Sequence, residues 1–353
     1  MRSQLQDRTF MLIMEQFKEI NMESISFCSD KDFDKLQKFI HEKWKENHIL
    51  SIDKKLMDFQ HKSKNGYNFV ISKNANDEIT GILGFIPLSK FDENLKETTD
   101  IWLAIWKVDE KIAEPGIGFA LLKWLEKQIQ PQSIGSIGIN TEVKRIYDIL
   151  GYNTGVLKQY FILNPSIQNY KIASFKKEQT AIYNSPSTSF VKEIKIEDVE
   201  HLNFSFNPDK SKKYIENRYL NHPYYKYLLF GAYEKNVLKA VLVIRKIVIN
   251  GSSCMRIVDI QGELTKLNSI YESIISVLQN HDSEYIDCLN HGLSEKLFSE
   301  LGFSLRNPDT IIPNYFEPFL QENIDILFAY KSKTPNYIVF KGDSDQDRPN
   351  IIK

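Results

Sequence analysis

The run Glu114-Pro115-Gly116-Ile117-Gly118 stands where a largely apolar stretch, Asp100 to Val108, gives way to an amphipathic pattern reaching about Gln128. A helix start offers backbone N–H groups without partners inside the helix, together with the positive end of its dipole. The turn therefore suits a phosphate, and a ligand carrying a pyrophosphate in particular. The amides of Ile117, Gly118 and Phe119 would face it, with Lys107 or Lys111 as charge partners. Pro115 removes one donor, which the first turn of a helix tolerates.

Other residues could move protons or hold an acceptor. Asp259 interrupts the apolar run Arg256-Ile257-Val258-Asp259-Ile260, and a carboxylate there needs a partner. Arg256 falls on the opposite face by strand alternation. Asp259 reads either as a buried structural acid or as an acceptor ligand, and the ligand is the expectation. His222, before Pro223, reads as a turn residue bonded to the backbone or as a base near neutral pH. The tail Asp343-Ser344-Asp345-Gln346-Asp347 fails as a calcium loop, because Arg348-Pro349 stands where a glycine is required. Its carboxylates could bind sugar hydroxyls or an ammonium, and Arg348 a phosphate; the alternative is a solvated acidic end. No Cys/His cluster has metal spacing, and no Ser/His/Asp or Cys/His pair suggests covalent catalysis.

These groups need a frame. The alternation and helical spacing predict strands at Ser24–Cys28, Tyr67–Ser72, Ile79–Ile86 and Asp100–Val108, with helices at Lys31–Trp44 and Asp53–His61. Beyond the glycine turn follow the helix Gly116–Gln128, stopped by Pro131, the strand Ser136–Asn140, the helix Thr141–Leu150 and a strand at Gly155–Leu163 that closes the unit. Pro165 to Ser189 is polar and turn-rich, as a linker would be. The second half repeats the order: a hairpin at Tyr227–Tyr233 and Val237–Val248, strands at Met255–Ile260 and Tyr285–Leu289, and helices at Leu267–Leu278 and Ser294–Leu301. Asp325–Lys331 and Tyr337–Lys341 finish that sheet. Tyr147-Asp148-Ile149-Leu150-Gly151-Tyr152 and Phe298-Ser299-Glu300-Leu301-Gly302-Phe303 match in pattern, which supports a duplication. The expected divisions are an extension over 1–22, a first domain over 23–165, a linker over 166–190 and a second domain over 191–353.

With 353 residues, 42% apolar and 26% charged, the chain has the make-up of a soluble two-domain protein. A net charge of −1 gives no electrostatic case for nucleic acid or an anionic membrane. No apolar run approaches the roughly 18–20 residues that span a bilayer. Cys28, Cys254 and Cys288 form no CxxC pair, which suits a reducing cytoplasm.

The stretch from Ser24 to Leu163 resembles a GNAT-type acyltransferase domain. The resemblance rests on the strand ending Trp106-Lys107-Val108, the Gly116-x-Gly118 helix start, and the helix carrying Tyr147 and Leu150-Gly151-Tyr152 after its strand. The family's pattern is Gln or Arg, two residues, Gly, one residue, then Gly or Ala, and Ala113 stands at its first position instead. The resemblance implies two tandem GNAT-like α/β (α+β) domains, each a mixed, mostly antiparallel twisted sheet flanked by helices. It implies acetyl-CoA or another acyl-CoA as co-substrate, without metal. In such domains the strand before the glycine loop diverges from its neighbour, so Trp106, Lys107 and Val108 would pair with the pantetheine, and Asn140 either contacts the cofactor or is only the helix cap. Tyr147 would be the general acid toward the thiolate. Asp109, Glu110 and Glu114 would repel the phosphates and are expected to face solvent, while Asp100 is too distant to act.

The second half has only Gly262 where the first has its turn, and Phe298 where it has Tyr147. It is expected to bind no coenzyme A and to shape the acceptor site through Arg218, Glu263, Asp343, Asp345, Asp347 and Arg348. Arg218 to Tyr227 and the tail also resemble tandem GNAT proteins of bacterial surface-polysaccharide synthesis, which implies an amino-sugar acceptor, free or nucleotide-linked. The expected function is N-acyl transfer to a small amine by direct attack on the thioester, with Asp259 or His222 as the base. Alternatives are a degenerate, non-catalytic pair that binds a sugar or protein, and a cell-wall-type aminoacyl transferase. The expected partner is a small-molecule amine, neither nucleic acid nor membrane, with a homodimer left open.

Overall fold

The computed structural model describes residues 24–95, 100–175, 187–199, 202, 206–208 and 210–350; the expected extension over 1–22 lies outside them. The chain forms β1 (Ile25–Ser29), α1 (Phe33–Phe39), α2 (Lys54–His61), β2 (Gly66–Lys73), β3 (Ile79–Pro87), β4 (Asp100–Val108), α3 (Ile117–Ile129), β5 (Ser133–Ile139), α4 (Thr141–Ile149) and β6 (Asn153–Val156). It continues through β7 (Lys158–Leu163), β8 (Ser189–Ile194), α5 (Lys212–Ile215), β9 (Tyr227–Glu234), β10 (Val237–Ile249), β11 (Ser252–Gly262), α6 (Tyr271–Asn280) and β12 (Tyr285–His291). Then come α7 (Glu295–Leu301), β13 (Ser304–Leu305), β14 (Leu327–Ser332) and β15 (Val339–Phe340).

Two compact units result. Among the described residues, the first holds those up to Gly155 with Leu327–Lys333, Pro349 and Asn350; the second holds those of Val156–Ile326 with Thr334–Arg348. The boundary expected near residue 165 thus falls ten residues earlier, and Ala173 and its neighbours, expected in the linker, donate amides to the buried Glu284 carboxylate.

The first sheet has the order β1-β2-β3-β4-β5-β14-β6 and the second β8-β9-β10-β11-β12-β7-β13, with β15 on β12. In each, antiparallel pairing gives way to a parallel step, β4 beside β5 and β11 beside β12. Both are mixed sheets with helices against them, as the sequence predicts.

Two strands sit in the sheets opposite to expectation. Lys158–Leu163 does not close the first sheet but pairs with β12 of the second, Cys288 facing Tyr160. Leu327–Ser332 does not finish the second sheet but pairs with β5 of the first, Phe328 facing Ile137. Alternation reveals a strand and its buried face, yet it names no partner.

In the first unit, Ile101, Leu103, Leu121, Leu125, Tyr147 and Ala329 share one core. α3 forms because its apolar residues fall at helical spacing, and Gln130 ends it in a left-handed conformation just before Pro131.

Candidate active site

β4 is bound to β3 along its length, from Pro87 opposite Ile101 to Gly81 opposite Val108. One extra β4 residue lies between the pairs Leu83–Trp106 and Phe85–Leu103, a bulge that bends the strand. Its parallel pairing with β5 begins at Asp100–Ser133 and ends at Leu103–Ser136. Beyond that point β5 continues with β14, through Phe328–Ile137 and Leu327–Ile139. A wedge therefore opens between Ala104–Val108 and Ile137–Ile139, and the β4 main chain lines one side of it. Trp106, Lys107 and Val108 are half-buried along this edge.

The glycine turn follows. Pro115 and Gly116 occupy the corner of a turn in which the Ile117 amide donates to the Glu114 carbonyl at 3.2 Å, and Gly116 has φ 86° and ψ −5°. Only glycine takes that conformation without strain. The Ile117 amide, expected to face a phosphate, is thus engaged inside the turn. The Gly118 amide is the next in line, and no carbonyl within the helix can reach it. A β-carbon on Gly118 would lie 3.1 Å from Val108 Cγ2. The Trp106 indole donates to the Gly118 carbonyl at 3.1 Å, fastening the strand to the first turn of α3.

Ala113 packs its methyl group on the core and donates its amide to the Asp109 carbonyl. Glu110 and Glu114 are exposed as expected, but Asp109 is not: it is buried and 3.0 Å from the Lys43 ammonium. The hydrogen bond from Lys43 holds its carboxyl below the usual range. Asp100 is buried too and accepts from the Ser133 hydroxyl.

α4 starts at Asn140, whose side-chain oxygen accepts the Val143 amide at 2.8 Å and so acts as the helix cap. Its one buried residue is Tyr147, 1% exposed, with ring centres 5.7 Å from Trp106 and 4.8 Å from Tyr152. Burial pushes the phenol's pKa up, and hydrogen bonding to Ser136 opposes that only in part. Ser136 is the residue at which β4 and β5 part. A protonated phenol consequently lies by the apex of the wedge. Sequence reasoning missed Ser136; a serine in an otherwise apolar strand, Ser133-Ile134-Gly135-Ser136-Ile137, was the available signal. It also passed over the Tyr152 hydroxyl, which donates to Glu126 at 2.9 Å.

Among residues of the second unit, the expected roles change most. His222 is a turn residue: its Nδ1 accepts the amides of Tyr224 at 3.2 Å and Tyr225 at 2.9 Å. Burial and then the Arg218 charge press its pKa down to about 3, too low for a base at neutral pH. Asp259 is fully buried, 2.7 Å from Lys210, 2.7 Å from the Tyr219 hydroxyl and 3.0 Å from the Gln261 amide. It is the structural acid of the two readings, saturated by partners and closed to an acceptor. Burial disfavours the Lys210 charge, but Asp259 and Asp343 overcome it and hold the ammonium above its ordinary pKa.

The acidic tail turns inward rather than toward solvent or a sugar. Asp343 lies 2.7 Å from Lys210 and accepts the Phe340 amide; Asp347 accepts from the Tyr227 hydroxyl at 2.7 Å and Arg245 at 2.8 Å; Asp345 pairs with Arg348 at 3.3 Å. Arg218, 1% exposed, donates to the carbonyls of Gly342 and Ser344 and holds the tail rather than a ligand. Glu263 is half-buried at the end of β11, its amide bonded to the Lys239 carbonyl. Arg256 finds its partner on the neighbouring strand, Asp287, at 2.9 and 2.6 Å. Phe298 stacks on Tyr160 with ring centres 4.0 Å apart. The three cysteines are buried and unbridged. Among the described residues no group of three or more His, Cys, Asp and Glu could hold a metal, and no helix is long and apolar enough to cross a membrane.

No protein-family profile matches this sequence, and no curated protein is significantly similar to it. Solved structures do match. A GCN5-related N-acetyltransferase from Anabaena variabilis aligns over 87% of this chain and 72% of its own, with a TM-score of 0.51 and 11% identity. A conserved protein of unknown function from Enterococcus faecalis, described as a probable N-acyltransferase, aligns over the same shares with a TM-score of 0.50 and 9% identity. At such identity the likeness is one of fold: this chain has the architecture of the GCN5-related acetyltransferase structures.

Proposed function

We propose that the protein is an acyl-CoA-dependent N-acyltransferase, most simply an N-acetyltransferase, whose first unit holds the co-substrate in the wedge between β4 and β5. The observation that carries this reading is the parting of the strands at Leu103–Ser136, with the left-handed Gly116 turn leading into α3 from the end of β4. The residues fit such a ligand. The unpaired edge of Trp106 to Val108 suits the amides of a pantetheine arm, the Gly118 amide suits a phosphate, and Gly118 cannot gain a side chain without crowding Val108.

Bound acyl-CoA would supply an acyl group already activated as a thioester. A β4 amide facing the wedge would polarise the acyl carbonyl, a contribution that grows as charge develops on the oxygen. Tyr147 Oη would deliver the proton that the departing thiolate needs. Its raised pKa keeps it protonated at neutral pH, as an acid must be. The acceptor would be a small amine. An amino sugar, free or nucleotide-linked, is the acceptor proposed from the resemblance, to be sought by screening because Asp343, Asp345 and Asp347 are buried. His222 and Asp259 take no part as base in this scheme.

A non-catalytic reading draws on Ala113 and on the engaged Ile117 amide, which leave fewer phosphate donors. Thermal unfolding with acetyl-CoA separates the two. At 100 times its dissociation constant, a ligand of the native state stabilises by about 2.7 kcal/mol. The wild-type melting point is expected to rise with acetyl-CoA, and Gly118→Val to abolish the rise because its side chain would crowd Val108 and screen the amide. No rise at millimolar acetyl-CoA would sink the proposal.

A further inference from the structure

The second unit parts its strands as the first does. β11 and β12 run parallel from Met255–Ile286 to Ile257–Cys288 and then separate. Here the opening is filled by the chain itself. Val339 and Phe340 pair with His291 and Asn290 on the edge of β12 that faces β11. The Lys341 amide donates to the Leu289 carbonyl at 3.2 Å, and the Gly342 amide donates to the Val258 carbonyl at 2.9 Å. Leu289 and Val258 are the residues immediately beyond the last β11–β12 pair, so the segment bridges the split from its apex outward. Its amides take the main-chain acceptors that the split leaves over on both strands.

The fit is specific. A β-carbon on Gly342 would lie 2.5 Å from the Val258 carbonyl oxygen and 2.9 Å from the Tyr219 hydroxyl. Ile338 and Phe340 send their side chains into the apolar core of the unit, and the Ile338 amide donates to the Asn207 carbonyl at 2.7 Å. The charged cluster closes over the end of the segment: Lys210 bridges Asp259 of β11 to Asp343, and Arg218 grips the carbonyls of Gly342 and Ser344.

We propose that the β11–β12 split is a binding groove for an extended backbone, occupied in cis by Ile338–Asp343, which fills the position that a pantetheine arm would take in the β4–β5 wedge. The comparison with pantetheine rests on the proposed function; the peptide groove does not. The groove recognises main-chain amides on both walls, a small residue at Gly342 and a carboxylate against Lys210. While the strap is seated, the second unit has no room for coenzyme A, whatever its loop at Gly262 could bind.

The test uses the full-length protein and a synthetic peptide of residues 337–347. Gly342→Val should unseat the strap. Amide exchange over Val339–Asp343 is expected to accelerate at least tenfold, with β9 to β12 still protected, and the added peptide should bind the variant but not the wild type. Coenzyme A should bind the wild type once, without altering exchange at Val258–Gly262. Global loss of protection in Gly342→Val, repeated in the milder Asp343→Asn, would make the strap an integral core strand and overturn the proposal. So would a second equivalent of coenzyme A protecting β11, or a peptide that binds neither protein. Absence of any coenzyme A binding would instead sink the proposed function, and the peptide and exchange results would still decide the groove.

Discussion

Replacing Lys210 by methionine tests how the second unit is held together. Lys210 is 1% exposed and bridges two carboxylates at 2.7 Å each, Asp259 and Asp343, both fully buried. Methionine keeps most of the stem but removes the charge, leaving two carboxylates with no cation between them. Breaking a buried pair from one side costs about 3–5 kcal/mol, chiefly through the charge left behind. For a unit of this size each kcal/mol is worth about 2–4 °C, so the melting transition should fall by about 6–20 °C. The loss must also depend on pH. Burial already lifts Asp343 to about 6 against the pull of Lys210, and without Lys210 it moves higher. A carboxyl whose folded pKa exceeds its unfolded value near 3.9 destabilises the fold above the folded pKa and is relieved as pH falls through it. The gap between variant and wild type should therefore be widest at neutral pH and narrow on acidification. Lys210→Met/Asp259→Asn/Asp343→Asn, which removes all three charges, should recover much of the loss. Calorimetry from pH 5 to 8 reads all three effects. A cost below about 1 kcal/mol, typical of solvated pairs, or a gap that ignores pH, would refute the reasoning.

Tyr147→Phe should lower kcat by about 10²–10⁴ while leaving acetyl-CoA affinity unchanged, since only a proton donor is removed; thiol release and calorimetric titration measure the two, and unchanged turnover would strip Tyr147 of the acid role. Lys341 offers a second pH test. Burial and the nearby Arg256 charge press its ammonium down to about 7, with Asp347 opposing them. A lysine depressed from about 10.4 in the unfolded chain penalises folding fully below its folded pKa, and the penalty fades as pH climbs between the two values. Lys341→Met should therefore melt above wild type at pH 7, with the advantage shrinking toward pH 10. A constant or growing advantage would contradict this.

Local patterns in the chain determined most of the elements and the turn that leads into α3. The alternation of Asp100–Val108, the helical spacing after Gly116 and the Asn140 cap are short-range features, and each element formed where its periodicity put it. Gly116 could be read as a turn because only a few residues tolerate its backbone angles. The burial of Cys28 and Cys288 also followed from their apolar neighbours, whereas Cys254, behind Gly251-Ser252-Ser253, is buried by the strands packed around it. What the sequence left open were choices between distant partners. Lys158–Leu163 and Leu327–Ser332 are both buried, apolar strands able to enter either sheet, and only the completed pairing assigned each to its place. The acidic tail read as surface or ligand site because carboxylates are normally solvated. It is buried because Lys210, Arg218, Tyr227 and Arg245, more than a hundred residues earlier, come together around it. Local rules describe one segment's preferences, whereas buried charges and strand partners are settled by which segments the whole fold brings within a few ångströms.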